Sequence, residues 1–203
     1  MSEPRLPKGA EQLPAAWDAA YKRAFRRRLL AWYGRHRRYL PWRRANNPYY
    51  VWVSEIMLQQ TQVATVEAYF RRFIERLPTV EHLAEADEAI VLRLWEGLGY
   101  YRRARALHAA AKVLVAEHGG QLPDDVPSLM RLPGIGRYTV GTIASVAYNR
   151  RAPILEANTI RLLTRLLAYR DDPMRSVGQR LLWEAAETLL PREKVADFNQ
   201  AMM

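Results

Sequence analysis

The 203 residues contain no cysteine. That absence excludes disulfides, thiolate nucleophiles, thiolate-bound zinc and iron–sulfur ligation within these residues. Histidine is scarce: His36, His82, His108 and His118 are the only four. No two of them have the spacing of a helical zinc site. Long hydrophobic runs are missing, so no segment has the length of a membrane span. The stretch from Met1 to Lys22 is polar and lacks the apolar core of a signal peptide. The expectation is a soluble, cytoplasmic chain without metal or membrane. Lysine is rare as well. Only Lys8, Lys22, Lys112 and Lys194 stand among 31 basic residues, and the rest are arginine. Strand-like alternation, tandem repeats and low-complexity tracts are also lacking, which leaves an all-α fold with short connections.

What is present suits a globular chain: 49% hydrophobic and 26% charged residues, enough for one large domain or two lobes. The net charge of +10 points to a polyanionic partner, most commonly nucleic acid. An arginine-rich codon background would give the same count, so charge alone carries this only part of the way.

Local signals place the helices. Trp17, Ala20, Ala24, Leu29 and Trp32 recur at helical spacing. Asn47-Pro48 starts a helix through Trp52 and Ile56, with Asn as cap and Pro in the first turn. Thr61 is the expected cap of the next helix, whose stripe is Val63, Val66, Phe70, Phe73 and Leu77. Pro78-Thr79 and Asp87 open two further helices. Gly97 and Gly99 mark a tight turn, and a long helix from about Tyr101 to His118 ends at Gly119-Gly120. Asp125 caps a short helix. Helix resumes at Tyr138 and ends near Asn149. Others run from Thr159 to Ala168, from a Ser176 cap to Pro191, and from Val195 to Met203. The last has no stop signal, so the chain reads as truncated.

Five segments carry chemistry. In Leu132-Pro133-Gly134-Ile135-Gly136-Arg137-Tyr138-Thr139, two glycines sit between helices. Glycine permits left-handed backbone and close approach, and the following helix offers free N–H groups to a phosphate. Gly134, Ile135, Gly136 and Arg137 thus form a candidate hairpin for DNA backbone, or an ordinary tight turn. Glu55 is one acid among apolar neighbours in Trp52-Val53-Ser54-Glu55-Ile56-Met57-Leu58. Desolvation favours the neutral carboxyl, which suits a general acid; a solvated surface Glu is the alternative. The uncharged Gln59-Gln60-Thr61-Gln62 that follows can bond base edges. Glu156, in Pro153-Ile154-Leu155-Glu156-Ala157-Asn158-Thr159, is either a second catalytic carboxylate or an acid complementing a helix dipole. Aromatics and arginines interleave in Tyr39-Leu40-Pro41-Trp42-Arg43-Arg44 and in Leu98-Gly99-Tyr100-Tyr101-Arg102-Arg103-Ala104-Arg105. Such mixtures bind phosphate and wedge into stacked bases, or are core aromatics beside solvated arginines.

Taken in order, several of these segments resemble a known family. They are Leu40-Pro41-Trp42-Arg43, Ser54 through Val63, Gly97-Leu98-Gly99-Tyr100-Tyr101, the hairpin from Leu132, and Phe198-Asn199-Gln200-Ala201-Met202-Met203. Together, from about Ala15 onward, they look like the adenine DNA glycosylases of the MutY type, within the helix-hairpin-helix glycosylase superfamily. The resemblance implies two helical lobes with DNA and the active site between them. Residues 42–150 would form a six-helix barrel with the helix-hairpin-helix. Residues 1–41 and 151–203 would form a discontinuous, incomplete cluster-type lobe.

The implied reaction is base flipping and acid-assisted hydrolysis of the bond to adenine mispaired with 8-oxoguanine or guanine. The implied partner is double-stranded DNA holding that mispair, the chain acts as a monomer, and the place of action is the nucleoid. The resemblance makes Glu55 the acid for adenine N7 and Glu156 the second carboxylate, with Tyr138 and Asn158 positioning carboxylates and sugar. Arg43, Leu58 and Gln200 match the adenine pocket. Leu40 and Gln60 match residues at the opposite base, and Tyr100 joins the substrate-binding set. Tyr138 stands where endonuclease III-type lyases carry a lysine, so β-lyase activity is not expected.

The chain carries Glu156-Ala157-Asn158 where the family has Asp-Gly-Asn. Full-length members are expected to hold a [4Fe–4S] cluster on cysteines past the point matching Met203, followed by a domain that checks for 8-oxoguanine; no cofactor is expected within this chain. The alternatives are another base-excision glycosylase of the superfamily or a DNA-binding fragment without turnover.

Overall fold

The computed structural model describes residues 12–44 and 47–203. The first half of the polar N-terminal stretch and the side chain of Arg44, part of the expected aromatic–arginine segment, lie outside the described residues. Every regular element among those residues is helical, so the fold is all-α. The chain divides into two compact units: residues 1–37 with 149–203, and residues 38–148.

Unit 38–148 is built around α3, Pro48–Leu58. Asn47 caps it by accepting from the Tyr49 amide at 2.9 Å, and Pro48 occupies the first turn. Every residue from Val51 to Met57 is buried. A helix apolar on all sides belongs inside a core. Accordingly α3 packs against α2 (Pro41–Arg44), α4 (Val63–Arg76), α7 (Arg102–His118) and α9 (Arg137–Thr142). Aromatic edges tighten this packing, with Trp42 on Phe70 at 5.2 Å and Phe73 on Trp95 at 6.2 Å. The Tyr49 hydroxyl donates to Leu77 O at 2.8 Å, and burial pushes its pKa up. Helices α5 (Val80–Glu85) and α6 (Glu88–Trp95) cover α7, and α8 (Val126–Met130) leads into the hairpin. The expected stripe of α4 is observed, but its cap is Gln62 rather than Thr61, without a side-chain bond. Beyond Thr142 the helix widens into a π turn, Ile143–Ala147, which apolar periodicity does not reveal.

His108, on α7, is buried in this unit. Desolvation, and then Lys112, lower its pKa from the ordinary 6.5, against the Ala84 and Ala86 backbone and Glu88. Below about pH 6.5 the unfolded chain therefore takes up a proton that the native state resists. Stability is expected to fall as pH drops from 7.5 to 5.5, and to fall less in His108→Gln. Melting temperatures of both proteins across that range test this.

Unit 1–37 with 149–203 is a second helical cluster. Trp17, Leu163, Leu181, Leu182, Leu189 and Phe198 anchor its core. The rings of Trp17, Tyr21, Phe25 and Phe198 follow one another at 5.6, 6.2 and 6.3 Å. The first helix, α1 (Ala19–His36), differs from expectation. Trp17 precedes it, Asp18 caps it, Ala20 is exposed, and Trp32 is 48% exposed and stacked on His36. The face turned inward is the i, i+4 row Tyr21, Phe25, Leu29 and Tyr33. That row offers the larger apolar area, and area decides which face is buried. Arg26, on α1, donates to the carbonyls of Leu189, Thr188 and Leu190 at 2.7, 3.0 and 3.0 Å. It thereby caps α11 (Ser176–Leu189), whose own N-cap is Arg175 rather than Ser176. Helices α10 (Ala157–Leu166) and α12 (Val195–Met202) complete the unit.

Candidate active site

In unit 38–148 the site begins with Glu55. It lies on the innermost part of α3 and is 5% exposed. Among the described residues it is the one buried acidic side chain. Burying a carboxylate is costly, so the one acid that the fold does bury is the first candidate for a working group.

The segment after Glu55 is held open by unusual backbone. Leu58 ends the helix, half-buried. Gln59 is its C-cap, and its side-chain amide donates to Thr139 Oγ1 on α9 at 3.4 Å. Gln60 is exposed with φ of 59°. Tyr100, 63% exposed, has φ of 48° at the end of the Gly97–Gly99 turn. Left-handed backbone at a residue with a side chain costs roughly 1–2 kcal/mol, so both positions need support.

Arg103 gives it. Its guanidinium donates to Ile56 O at 2.8 Å, Met57 O at 3.1 Å and Gln59 O, and reaches Thr61 Oγ1, Leu98 O and Gly99 O at 3.4–3.5 Å. It also stands 5.3 Å from the Tyr100 ring and 5.6 Å from the Trp95 ring. Burial lowers its pKa. By sequence Arg103 is one of several candidate phosphate-binding arginines; its carbonyl partners on and after α3 lie 44–47 residues away, and no local signal marks them.

The hairpin closes this side of the unit. Ile135 is buried, and its amide bonds Leu132 O at 3.2 Å. Gly136 is the N-cap of α9, Arg137 is exposed in the first turn, and Tyr138 follows half-buried. Since α3 and α9 pack together, Glu55 and Tyr138 stand on two neighbouring helices. Gly134 has φ of 74°, and an added Cβ would lie 2.6 Å from the Cβ of Ala106 on α7. Gly134→Ala is therefore expected to cost about 2 kcal/mol from backbone strain and overpacking and to weaken duplex binding. Urea unfolding and a DNA titration check this. Of the remaining candidates here, Arg43 is half-buried on α2, and Leu40 is buried at 5%.

In the other unit, Glu156 is the N-cap of α10. Its Oε1 accepts from the Thr159 amide at 2.8 Å, and the Thr159 hydroxyl accepts from the Glu156 amide at 2.7 Å. This is a capping box with the acid at the cap and the hydroxyl three residues on. Asn158 is exposed in the first turn. Gln200, half-buried on α12, donates to Ala196 O at 3.2 Å. Neighbouring Asn199 is buried and donates to Ala152 O at 2.8 Å.

Matching against known proteins agrees with the hairpin and the helix that carries Glu55. Residues 53–188 match the family described as "HhH-GPD superfamily base excision DNA repair protein". The chain belongs to this superfamily. It is 45% identical over 195 residues to the adenine DNA glycosylase of Rattus norvegicus, covering 92% of this chain and 38% of the relative. The human adenine DNA glycosylase is 43% identical over 195 residues, with 92% and 36% covered. That of Buchnera aphidicola subsp. Baizongia pistaciae is 40% identical over 180 residues, with 88% and 51% covered. The chain thus spans between about a third and a half of these relatives' length. The solved structure of a thermostable thymine-DNA glycosylase superposes with a TM-score of 0.81 at 27% identity, covering 92% of this chain and 87% of that one. An endonuclease III–DNA complex superposes at 0.71 with 22% identity, covering 89% and 84%, and shares the fold.

The iron–sulfur cluster expected of full-length relatives does not fit this chain's own residues, which offer no thiolate. Among the described residues no group of His, Asp and Glu is placed to hold a metal. No helix among them is long and apolar enough to cross a membrane.

Proposed function

We propose that this chain is the catalytic part of an adenine-specific, monofunctional DNA glycosylase acting on adenine opposite 8-oxoguanine or guanine. The observation that carries the reading is Glu55: a buried acid on the central helix of a base-excision fold, followed by a polar, uncharged turn. Adenine leaves poorly as an anion, so the reaction needs a proton at N7, and Glu55 supplies it. The bond to adenine breaks, water adds at the sugar in its place, and the Glu55 carboxylate takes up the proton that the water loses. Glu156 stabilises the cationic sugar in the transition state, as the second of two carboxylates, and Asn158 and Tyr138 orient the groups around it.

Arg43, Leu58 and Gln200 hold the flipped adenine. Leu40 and Gln60 meet the opposite base, and the exposed Tyr100 joins the substrate-binding set. Gly134, Ile135, Gly136 and Arg137 bind the DNA backbone through main-chain amides and one guanidinium. The chain acts as a monomer at the nucleoid.

A substrate panel tests this: duplexes with adenine opposite 8-oxoguanine, adenine opposite guanine, and thymine opposite guanine, each also treated with borohydride. Release of adenine from the first two without a trapped covalent adduct is the expected result. Thymine release, or an adduct, would instead assign the chain to another branch of the superfamily.

A further inference from the structure

We infer that Arg103 is a positioning residue for the Glu55 site. It latches the C-terminal end of the catalytic helix to the loop that presents Tyr100, so that Glu55, Gln60 and Tyr100 move as one body. The inference rests on the adenine glycosylase reading for its catalytic consequence, though not for the latch itself.

Three observations carry it. First, the guanidinium takes the carbonyls of Ile56 and Met57, which are among the last four of α3 and have no partner within the helix. A cation there also complements the helix dipole. Second, it takes Gln59 O and reaches Gly99 O, and each of these carbonyls immediately precedes a left-handed residue, Gln60 or Tyr100. One side chain therefore braces both strained positions. Third, its face lies against Tyr100 and Trp95, which fixes the tyrosine from beneath. A lysine could match the charge but not the fork or the stacking.

A cavity of about 140 Å³ opens beside the guanidinium, lined in part by Trp52, Ile56, Gln59, Leu107 and Gly134. Arg103→Ala would join the vacated space to this cavity, leaving room for an added guanidinium ion.

The test has two readouts on the 203-residue chain. The first is hydrogen exchange at the Thr61 and Leu98 amides, which bond Leu58 O and Trp95 O, compared between wild type and Arg103→Ala. Exchange at both is expected to speed up tenfold or more, while α10 and α11 are unchanged. The second is single-turnover adenine release at saturating duplex, well below the melting temperature. The rate is expected to fall about a hundredfold from misplacement of the reacting groups, with duplex affinity changed by less than tenfold. Arg103→Lys should fall between the two, and added guanidinium should restore part of the Arg103→Ala rate.

Unchanged exchange at either amide overturns the latch whatever the rate does. Loosened amides with an undiminished rate overturn the positioning role. If Arg103→Ala does not fold, Arg103→Lys supplies both readouts. A wild-type chain that releases no adenine counts against the glycosylase reading, and the exchange comparison alone then decides the latch.

Discussion

Glu55→Gln is expected to lower the single-turnover rate of adenine release by about a thousandfold or more, since a positioned general acid contributes roughly 10²–10⁴-fold. Duplex affinity should stay within a few-fold, because the variant keeps the shape of the side chain and removes no phosphate contact. Stability should be unchanged or raised, since the buried acid becomes a neutral amide. These three outcomes belong together. A structural Glu55 would give the opposite pattern: a lower melting temperature with most of the rate retained.

The second large effect separates two roles for Glu156. As N-cap it accepts from the Thr159 amide, and losing that bond in Glu156→Ala should cost about 1 kcal/mol. For a chain of this size that is a fall of roughly 2–4 °C in melting temperature. Glu156→Gln keeps the accepting oxygen and removes the charge. If the carboxylate stabilises a cationic sugar, the Gln variant melts like wild type but releases adenine about a hundredfold more slowly. Glu156→Asp keeps both cap and charge and should stay within tenfold of wild type. Full activity in Glu156→Gln would leave the residue a helix cap and nothing more.

Several helix ends follow from one residue's own chemistry, although the caps expected at Thr61 and Ser176 fall one residue later and one residue earlier, at Gln62 and Arg175. Asn47-Pro48, Thr79 and Asp125 start helices, and Gly119 ends one in left-handed backbone. The burial of Glu55 was legible because apolar residues surround it on every side of the helix. What escaped the sequence depends on partners brought from elsewhere. The inward face of α1 is chosen by the aromatic row it forms with Phe198. The carbonyls gathered by Arg103 come from two separate stretches of chain, 56–59 and 98–99. Both readings of Glu156 were open in the sequence, and the structure gives it the capping geometry while leaving its charge to be tested.

The most direct measurement is single-turnover base release from a duplex with adenine opposite 8-oxoguanine, scoring strand breaks before and after alkali. Breaks that appear only after alkali, at the adenine and at a rate that Glu55→Gln abolishes, are the predicted result. A bound duplex that stays intact after alkali, or one cut before it, would contradict a monofunctional adenine glycosylase built on Glu55.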